Sequence, residues 1–188
     1  MNLGAIFQAR VDDQGDVPAL TFCVWGHPEP AGSKQAFPRK GAPGRFVVVD
    51  DNPKSRSWKA LVGKVAAHVA GLTDYPIIDR AVGIRITFLR ERPKYHSRAD
   101  GSLKPDAPDY PDTKPDTTKL LRAVEDALTG VLWTDDAQVV EQHVWKEWSP
   151  QEGVEITVWP KPPLPDSRKT RPGVGLPTRR VSPGAPPK

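Results

Sequence analysis

Carboxylates of a kind that could support phosphodiester hydrolysis are concentrated in a short stretch of this chain. The stretch begins at Asp116 and ends with the adjacent residues Asp135 and Asp136. Magnesium takes oxygen ligands and is typically held by one or two carboxylates together with several waters. An ion held in this way makes a bound water more acidic and stabilises the charge that develops on the attacked phosphate. We therefore predict a metal-dependent hydrolytic site with Asp116 and Asp136 as ligands.

Arg122, between these aspartates, is the cation that such a site needs. A guanidinium is permanently charged and can donate two parallel hydrogen bonds to a phosphate. We interpret Arg122 as the residue that neutralises the developing charge. A second interpretation, an i,i+4 ion pair with Asp126 on a helix, is compatible with the first.

Each acidic residue also has a purely structural interpretation. Asp116 stands where it could cap a following helix, and Asp135 with Asp136 could form a turn before a strand. Taken singly, each residue fits the structural role. The order and close spacing of the motifs together favour the functional one.

The net charge of the whole chain is +4, but its segments differ in sign. Residues 34–104 contain 15 basic and 6 acidic residues, whereas residues 105–159 contain 4 and 12. A basic half beside an acidic half is typical of a metal-dependent nuclease, because cations hold phosphates while carboxylates hold the metal. Ordinary solvated surface charge explains the same pattern, so charge alone does not decide the function.

A long polar segment, residues 90–115, is predicted to lack regular structure. So long a loop inside a compact domain is usually functional. Phosphate binding needs positive charge and no base edges, so basic residues here and at the start of the next helix are candidate DNA contacts. A solvated loop is equally compatible with the pattern. The candidates are Lys94, His96, Arg98, Lys104, Lys114 and Lys119.

The elements that must position these residues follow from hydrophobic periodicity. Strand-like runs occur at 20–25, 46–49, 81–89, 137–145 and 153–159. One helix is predicted from residue 53, after a cap at Asn52, to Gly71, and a second from a cap at Asp116 to Gly130. This order predicts an α+β fold in which two helices pack on a small sheet.

The predicted domain covers residues 19–159. Residues 1–18 are expected to be a flexible leader, and the basic, proline-rich residues 160–188 a disordered tail that cannot bury a core. The start of the chain lacks a basic signal region, and no apolar run reaches the roughly 18 residues that cross a membrane. We therefore expect a soluble, cytoplasmic protein with no membrane partner and no small-molecule organic cofactor.

Other reactive side chains are better explained by packing. Cys23 lies in an apolar run and is expected to be buried as a small hydrophobe. The four histidines have no ligand-like spacing, so zinc is not expected. Packing in strands or helices is predicted for Trp25, Trp58, Trp145 and Trp159, while the roles of Trp133 and Trp148 stay open.

Four motifs in order carry a resemblance to a known family. A Lys-Pro-Asp sequence at 114–116 is followed by a basic residue at 122, an Asp-Ala-Leu-Thr-Gly helix end at 126–130 and an Asp-Asp-Ala-Gln-Val turn at 135–139. In this order and spacing the chain resembles the phage-type RusA family of Holliday junction resolvases. The likeness is dense over residues 112–142, looser over 20–111 and absent from both ends.

The resemblance implies a magnesium-dependent endonuclease, with manganese as a substitute, that cuts four-way DNA junctions in recombination and repair. It implies a two-layer sandwich of a small mixed β-sheet with two helices, and a C2 homodimer. It also implies a phage or prophage gene expressed in bacterial cytoplasm. Asp116, Arg122 and Asp136 would be the catalytic residues, with Arg122 in the place of the family's catalytic lysine.

Two adjacent positions depart from the family pattern. Thr118 stands where the family commonly has a second aspartate, and Lys119 where it often has asparagine. A threonine hydroxyl is a weak, neutral ligand, so the missing charge would come first from Asp135, or else from Asp112 or water. The departure also supports an alternative, a junction-binding protein that has lost catalysis. A nuclease of the PD-(D/E)xK type would need a Glu-x-Lys triplet downstream of Asp116, and the chain has none.

Overall fold

The structure is a computed structural model that describes residues 8–10, 17–32, 34–38, 41, 44–50 and 52–163. The α-helices and strands in these ranges are numbered in chain order. They are β1 (Gln8–Arg10), β2 (Ala19–Trp25), β3 (Lys34–Pro38), β4 (Phe46–Asp50), α1 (Pro53–Leu72), β5 (Val82–Glu91), α2 (Thr117–Leu128), β6 (Val139–Ser149) and β7 (Gly153–Pro160).

Five of the strands form one mixed sheet in the order β1-β2-β7-β5-β6. Strands β5 and β6 are parallel, and the other neighbours are antiparallel. A parallel pair requires a crossover connection, which here contains α2. Strands β3 and β4 form a separate antiparallel hairpin. The predicted α+β fold, a small mixed sheet with two helices, is confirmed.

One hydrophobic core joins the sheet to both helices. Strand β5 is buried along most of its length, as expected for a strand with a neighbour on each side and helices packed over it. Helix α1 begins where the sequence predicts, and the side chain of Asn52 accepts a hydrogen bond from the Lys54 amide. Neither helix in the described ranges combines the length and apolarity that crossing a membrane would require.

The sheet extends beyond the predicted limits of the domain. Gln8–Arg10, in the predicted leader, pair with β2 as β1. At the other end, the Lys161 amide donates to the carbonyl of Ala81 at 2.8 Å, so the first residues of the predicted tail still belong to the domain. The rest of the leader before residue 17 and the tail beyond residue 163 lie outside the described residues.

The long segment between β5 and α2 is ordered by hydrogen bonds, which corrects the prediction of a structureless loop. A short hairpin is closed by the Lys104 amide, which donates to the carbonyl of His96 at 2.9 Å. Further along, the Nε1 of Trp148 in β6 donates to the carbonyl of Pro108 at 3.0 Å. The guanidinium carbon of Arg92 lies 4.8 Å from the centroid of the same indole. The segment is therefore attached to the edge of the sheet.

The tryptophans divide between core and surface. Trp58 is buried as predicted, and Trp25 and Trp159 are half-buried. The prediction of packing is wrong for Trp145, which is 37% exposed because it lies on β6, an edge strand with a neighbour on one side only. Trp133, which the sequence leaves open, is fully buried.

Gly83 of β5 allows close contact with β7. A Cβ added at Gly83 would lie 2.3–2.5 Å from three atoms of the Trp159 indole. The missing side chain therefore lets this ring pack against the backbone of β5.

We expect Gly83→Ala to lower the free energy of unfolding by about 1–3 kcal/mol, because the added methyl displaces the indole of Trp159. Gly71→Ala is the matched control, because nothing lies within 4 Å of a Cβ there. Since Gly71 lies in helix α1, its replacement should raise the free energy of unfolding by about 0.5–1 kcal/mol. Urea denaturation followed by circular dichroism checks both variants. Equal stability of the two variants would contradict this packing.

Candidate active site

Helix α2 has an apolar face and a polar face, and burial of the apolar one fixes its orientation. Leu120 and Val124 are fully buried in the core. Residues separated by four and seven positions share a helix face, so Thr118, Arg122 and Glu125 lie together on the other side. This polar face points away from the core and towards solvent and β6.

Asp116 occupies the N-cap position of α2, as predicted, but its carboxylate does not cap the helix. The side chain makes no capping hydrogen bond with the first turn and is 64% exposed. The Nζ atom of Lys119 lies 3.9 Å from its Oδ2. The purely structural interpretation of Asp116 is therefore not supported, and the carboxylate is accessible to a ligand.

A lysine of β6 fixes the segment that carries Asp116. The Nζ of Lys146 donates to the carbonyl of Thr113 at 2.8 Å. From the other side, the amide of Ala31 donates to the carbonyl of Lys119 at 2.9 Å. These two contacts hold the start of α2 against the sheet and against the chain that follows β2.

A cleft of about 550 Å³ opens beside Asp116. Two of the predicted DNA contacts, Lys114 and Lys119, line it. Sequence reasoning missed the opposite wall, because only the strand order brings the chain after β2 and the end of β5 to this place. The residues of that wall are His27, Glu29, Pro30 and Arg90.

The other predicted DNA contacts lie on the ordered segment between β5 and α2. Lys94, Arg98 and Lys104 are exposed there. His96 is only 9% exposed, and its ring centroid lies 5.5 Å from that of Trp148. Packing on Trp148 withdraws the ring of His96 from the surface, and its assignment as a phosphate contact stays a prediction.

The acidic pair after α2 divides into a structural carboxylate and an accessible one. The Oδ1 of Asp135 accepts from the amide of Ala137 at 2.8 Å, and the side chain of Gln138 accepts from the amide of Asp135 at 2.8 Å. This reciprocal capping shapes the turn, as the structural interpretation of Asp135 predicts. Asp136 is exposed, and its carboxylate accepts no hydrogen bond from the described residues.

Gln138 determines where this turn lies on the fold. Its Nε2 donates to the carbonyls of Ile78 at 3.1 Å and Arg80 at 2.9 Å. Its Oε1 accepts from the amide of Thr134 at 2.9 Å. One side chain therefore ties the turn that carries Asp136 to the segment that enters β5.

Arg122 is exposed on the polar face of α2. The ion pair predicted as its alternative role does not form, because Asp126 accepts from the Nζ of Lys59 in α1 at 2.8 Å. The guanidinium thus remains at the surface between the two aspartates of the motif.

The structure places Asp116 and Asp136 at opposite ends of α2. Asp116 lies at the end held by Lys146, whereas Asp136 lies near Glu125, whose Oε1 accepts from Gln142 at 2.6 Å. Gln142 and Lys146 are four residues apart on β6, which corresponds to about 13 Å along a strand. Within the described ranges, no three Asp, Glu, His or Cys side chains are grouped so that they could hold a metal ion. The predicted metal ligands are therefore not assembled in one cluster.

Comparison with known proteins gives the family. The family model described as Endodeoxyribonuclease RusA matches residues 28–159. The chain belongs to the RusA endodeoxyribonuclease family. The chain is also similar to an uncharacterized Bacillus subtilis (strain 168) protein, YqaN, with 30% identity over 143 residues that cover 74% of this chain and 94% of that protein. The resemblance seen in the four motifs is thus confirmed: RusA is a family of DNA endonucleases, and membership of it implies binding to branched DNA.

Glu125 is a carboxylate near Asp136 that the sequence analysis did not include among the site residues. It lies on the same face of α2 as Thr118, the residue that replaces the family's second aspartate, about two helical turns further along. Burial raises the pKa of Glu125, and the nearby charge of Asp136 raises it further, while the hydrogen bond from Gln142 acts in the opposite direction. The seven-residue spacing from Thr118 is the signal that could have identified it.

We expect Glu125→Gln to be stabilising at neutral pH in the presence of a chelator. The raised pKa means that the folded protein binds this proton more tightly than the unfolded chain, so ionisation of Glu125 lowers stability as pH rises above its unfolded pKa. The gain in free energy of unfolding should therefore grow from pH 4 to pH 7 in chemical denaturation. A gain that is constant over this range would contradict the pKa assignment.

Asp136→Asn provides the matched control for this titration. It removes a neighbouring negative charge, so the benefit of Glu125→Gln should be smaller in that background than in the wild type. The double-mutant cycle at pH 7 measures the difference directly.

Proposed function

We propose that this RusA-family protein is a magnesium-dependent endonuclease that resolves Holliday junctions by paired phosphodiester cleavage. The observation that carries the proposal is the Asp116 carboxylate, which leaves its helix uncapped and lies at the edge of a cleft lined by Lys114 and Lys119. Because this carboxylate makes no capping hydrogen bond, it is available to bind another ligand.

The donor chemistry fits magnesium, because the accessible groups on this surface are carboxylates and a hydroxyl. Asp136 and Glu125 lie close enough for their charges to interact, and a divalent cation would relieve their repulsion. Asp116 lies apart from that pair, at the cleft end of α2, where its single carboxylate would hold a hydrated ion with the hydroxyl of Thr118 as a further donor. The Oδ2 of Asp135 would be a further donor beside Asp136. Bound magnesium, or manganese in its place, would acidify a water and stabilise charge on the phosphate.

Residues of the chain itself would position the DNA. Arg122, between the two carboxylate groups on one face of α2, would donate hydrogen bonds to the phosphate under attack. Lys114 and Lys119 would hold the neighbouring backbone, and the exposed Lys94, Arg98 and Lys104 would contact phosphates further along the strand.

A second candidate function is a junction-binding protein without cleavage. It is favoured by the neutral Thr118 and by the separation of Asp116 from Asp136 along α2. Basic residues at the cleft and in the segment between β5 and α2 would serve binding equally well. Metal-dependent cutting separates the two functions.

The wider setting of the activity also belongs to this proposal. Symmetric cutting of two strands calls for two active sites, which a C2 homodimer provides. The four-motif resemblance favours a role in recombination and repair in the bacterial cytoplasm. It also favours a phage or prophage as the source of the gene.

We expect Asp116→Asn and Asp136→Asn each to reduce junction cleavage by a factor of ~10² or more, because each removes a charge that would hold the metal. Junction binding in chelator should stay within about threefold of the wild type, since neither residue is a cation.

The matched control is Asp109→Asn, because Asp109 is exposed and lies outside the cleft; this variant should cut at the wild-type rate. Gel-based cleavage and fluorescence anisotropy measure the two quantities. Full cleavage by either variant would remove that aspartate from the mechanism.

Magnesium should raise the thermal stability of the wild-type protein, because a ligand that binds only the folded state stabilises it. At a concentration one hundred times Kd the gain is about 2.7 kcal/mol. Asp136→Asn and Glu125→Gln should each reduce the shift in Tm, and Asp109→Asn should retain it. Scanning calorimetry with magnesium and with chelator makes the comparison. An equal shift in all four proteins would place the metal elsewhere.

A further inference from the structure

The cleft beside Asp116 contains an arginine whose guanidinium has hydrogen-bond donors without a partner among the described residues. Arg90 is close to the end of β5, and its side chain is 18% exposed. Its Nη1 atom is buried and has no hydrogen-bond partner in the described part of the chain. An unpaired donor of a buried cation is costly, so such a group indicates either a ligand or a buried water.

Glu152, in the turn between β6 and β7, holds Arg90 in this place. Its Oε1 lies 3.5 Å from the Nε of Arg90, and its Oε2 is hydrogen-bonded to the Nδ1 of His27. One half-buried carboxylate therefore positions two residues of the same cleft wall. Because Glu152 faces the Nε side of the guanidinium, the terminal nitrogens are left for another acceptor.

We propose that this cleft binds a phosphate of the DNA backbone and that Arg90 is its principal anion-binding residue, with Glu152 as a positioning residue. The inference rests on the proposed function, because it assigns the cleft to the strand that is cut next to Asp116. A guanidinium donates charge-assisted hydrogen bonds to phosphate oxygens, and Lys114 and Lys119 add two cations to the same lining. The volume of about 550 Å³ is adequate for a phosphate with part of its sugar.

Arg90 has one competing role, which is structural. It also lines a small cavity of about 70 Å³ together with Lys146 and Trp148. A water in that cavity would satisfy Nη1 without any DNA. The two roles predict different responses to phosphate.

Binding to a labelled four-way junction in chelator, over a range of salt concentrations, tests the assignment in the full chain. Arg90→Gln should raise Kd by about tenfold and reduce the slope of log Kd against log salt by about one, because one phosphate contact is lost. Arg90→Lys keeps the charge, so the slope of log Kd against log salt should not change. Kd itself should rise, because lysine lacks the fixed donors of the guanidinium. The matched control is Arg85→Gln, in an exposed arginine of the same strand outside the cleft, which should behave as the wild type.

Wild-type Kd and slope in Arg90→Gln would overturn the proposal. Circular dichroism verifies that each variant folds. If Arg90→Gln does not fold, Arg90→Lys decides: a raised Kd supports the assignment, and a wild-type Kd overturns it.

Inorganic phosphate separates this inference from the proposed function. Phosphate should raise the Tm of the wild type more than chloride at equal ionic strength, and Arg90→Gln should lose this shift while Arg85→Gln keeps it. Suppose that the wild type neither binds nor cuts junctions, but that the rise in Tm with phosphate is lost in Arg90→Gln. The proposed function then fails, and the anion-binding site at Arg90 stands. If the wild type cuts junctions and neither assay responds to Arg90, the proposed function stands and the inference is overturned, which leaves Arg90 as a structural residue.

Discussion

Burial of one side of α2 in the core is the constraint on which the rest of the site depends. Each of Leu120, Val124 and Leu128 contributes roughly 1.5–3 kcal/mol when it leaves water. A rotation of the helix by half a turn would expose this stripe and would bury the guanidinium of Arg122 without a partner. The apolar residues therefore determine which polar residues can meet DNA, although they make no contact with it themselves.

The parallel pairing of β5 with β6 adds the second constraint. The chain must cross over between these strands, and the crossover places Asp116 towards the carboxyl ends of the strands and Asp136 just before β6 begins. Lys146 secures one end of this connection, and Gln138 secures the other. The polar face of α2 spans the distance between them. The site is therefore an extended surface along one helix, a shape suited to a nucleic-acid strand.

Local patterns in the sequence were sufficient for both helices, for five of the strands and for the position of Asp116 as an N-cap residue, but they missed the short strands β1 and β3. They could not show that the carboxylate of Asp116 leaves the cap unused, since that depends on side-chain geometry. The sequence could not show that His96 is buried, because the ring that covers it, Trp148, lies on the distant strand β6. It could not show that Arg90 lies beside Asp116 either, because only the strand order brings the two residues together. The order in the segment after β5 was missed for the same reason, because distant residues stabilise it.

The most direct test of the account compares a synthetic four-way junction with a linear duplex of the same sequence. The purified wild-type protein is incubated with each DNA in magnesium and in chelator, and the position of every nick is mapped. The account predicts paired nicks on opposing strands of the junction in magnesium, none in chelator and little cutting of the duplex. Tight binding to the junction without any cleavage in magnesium or manganese would contradict it.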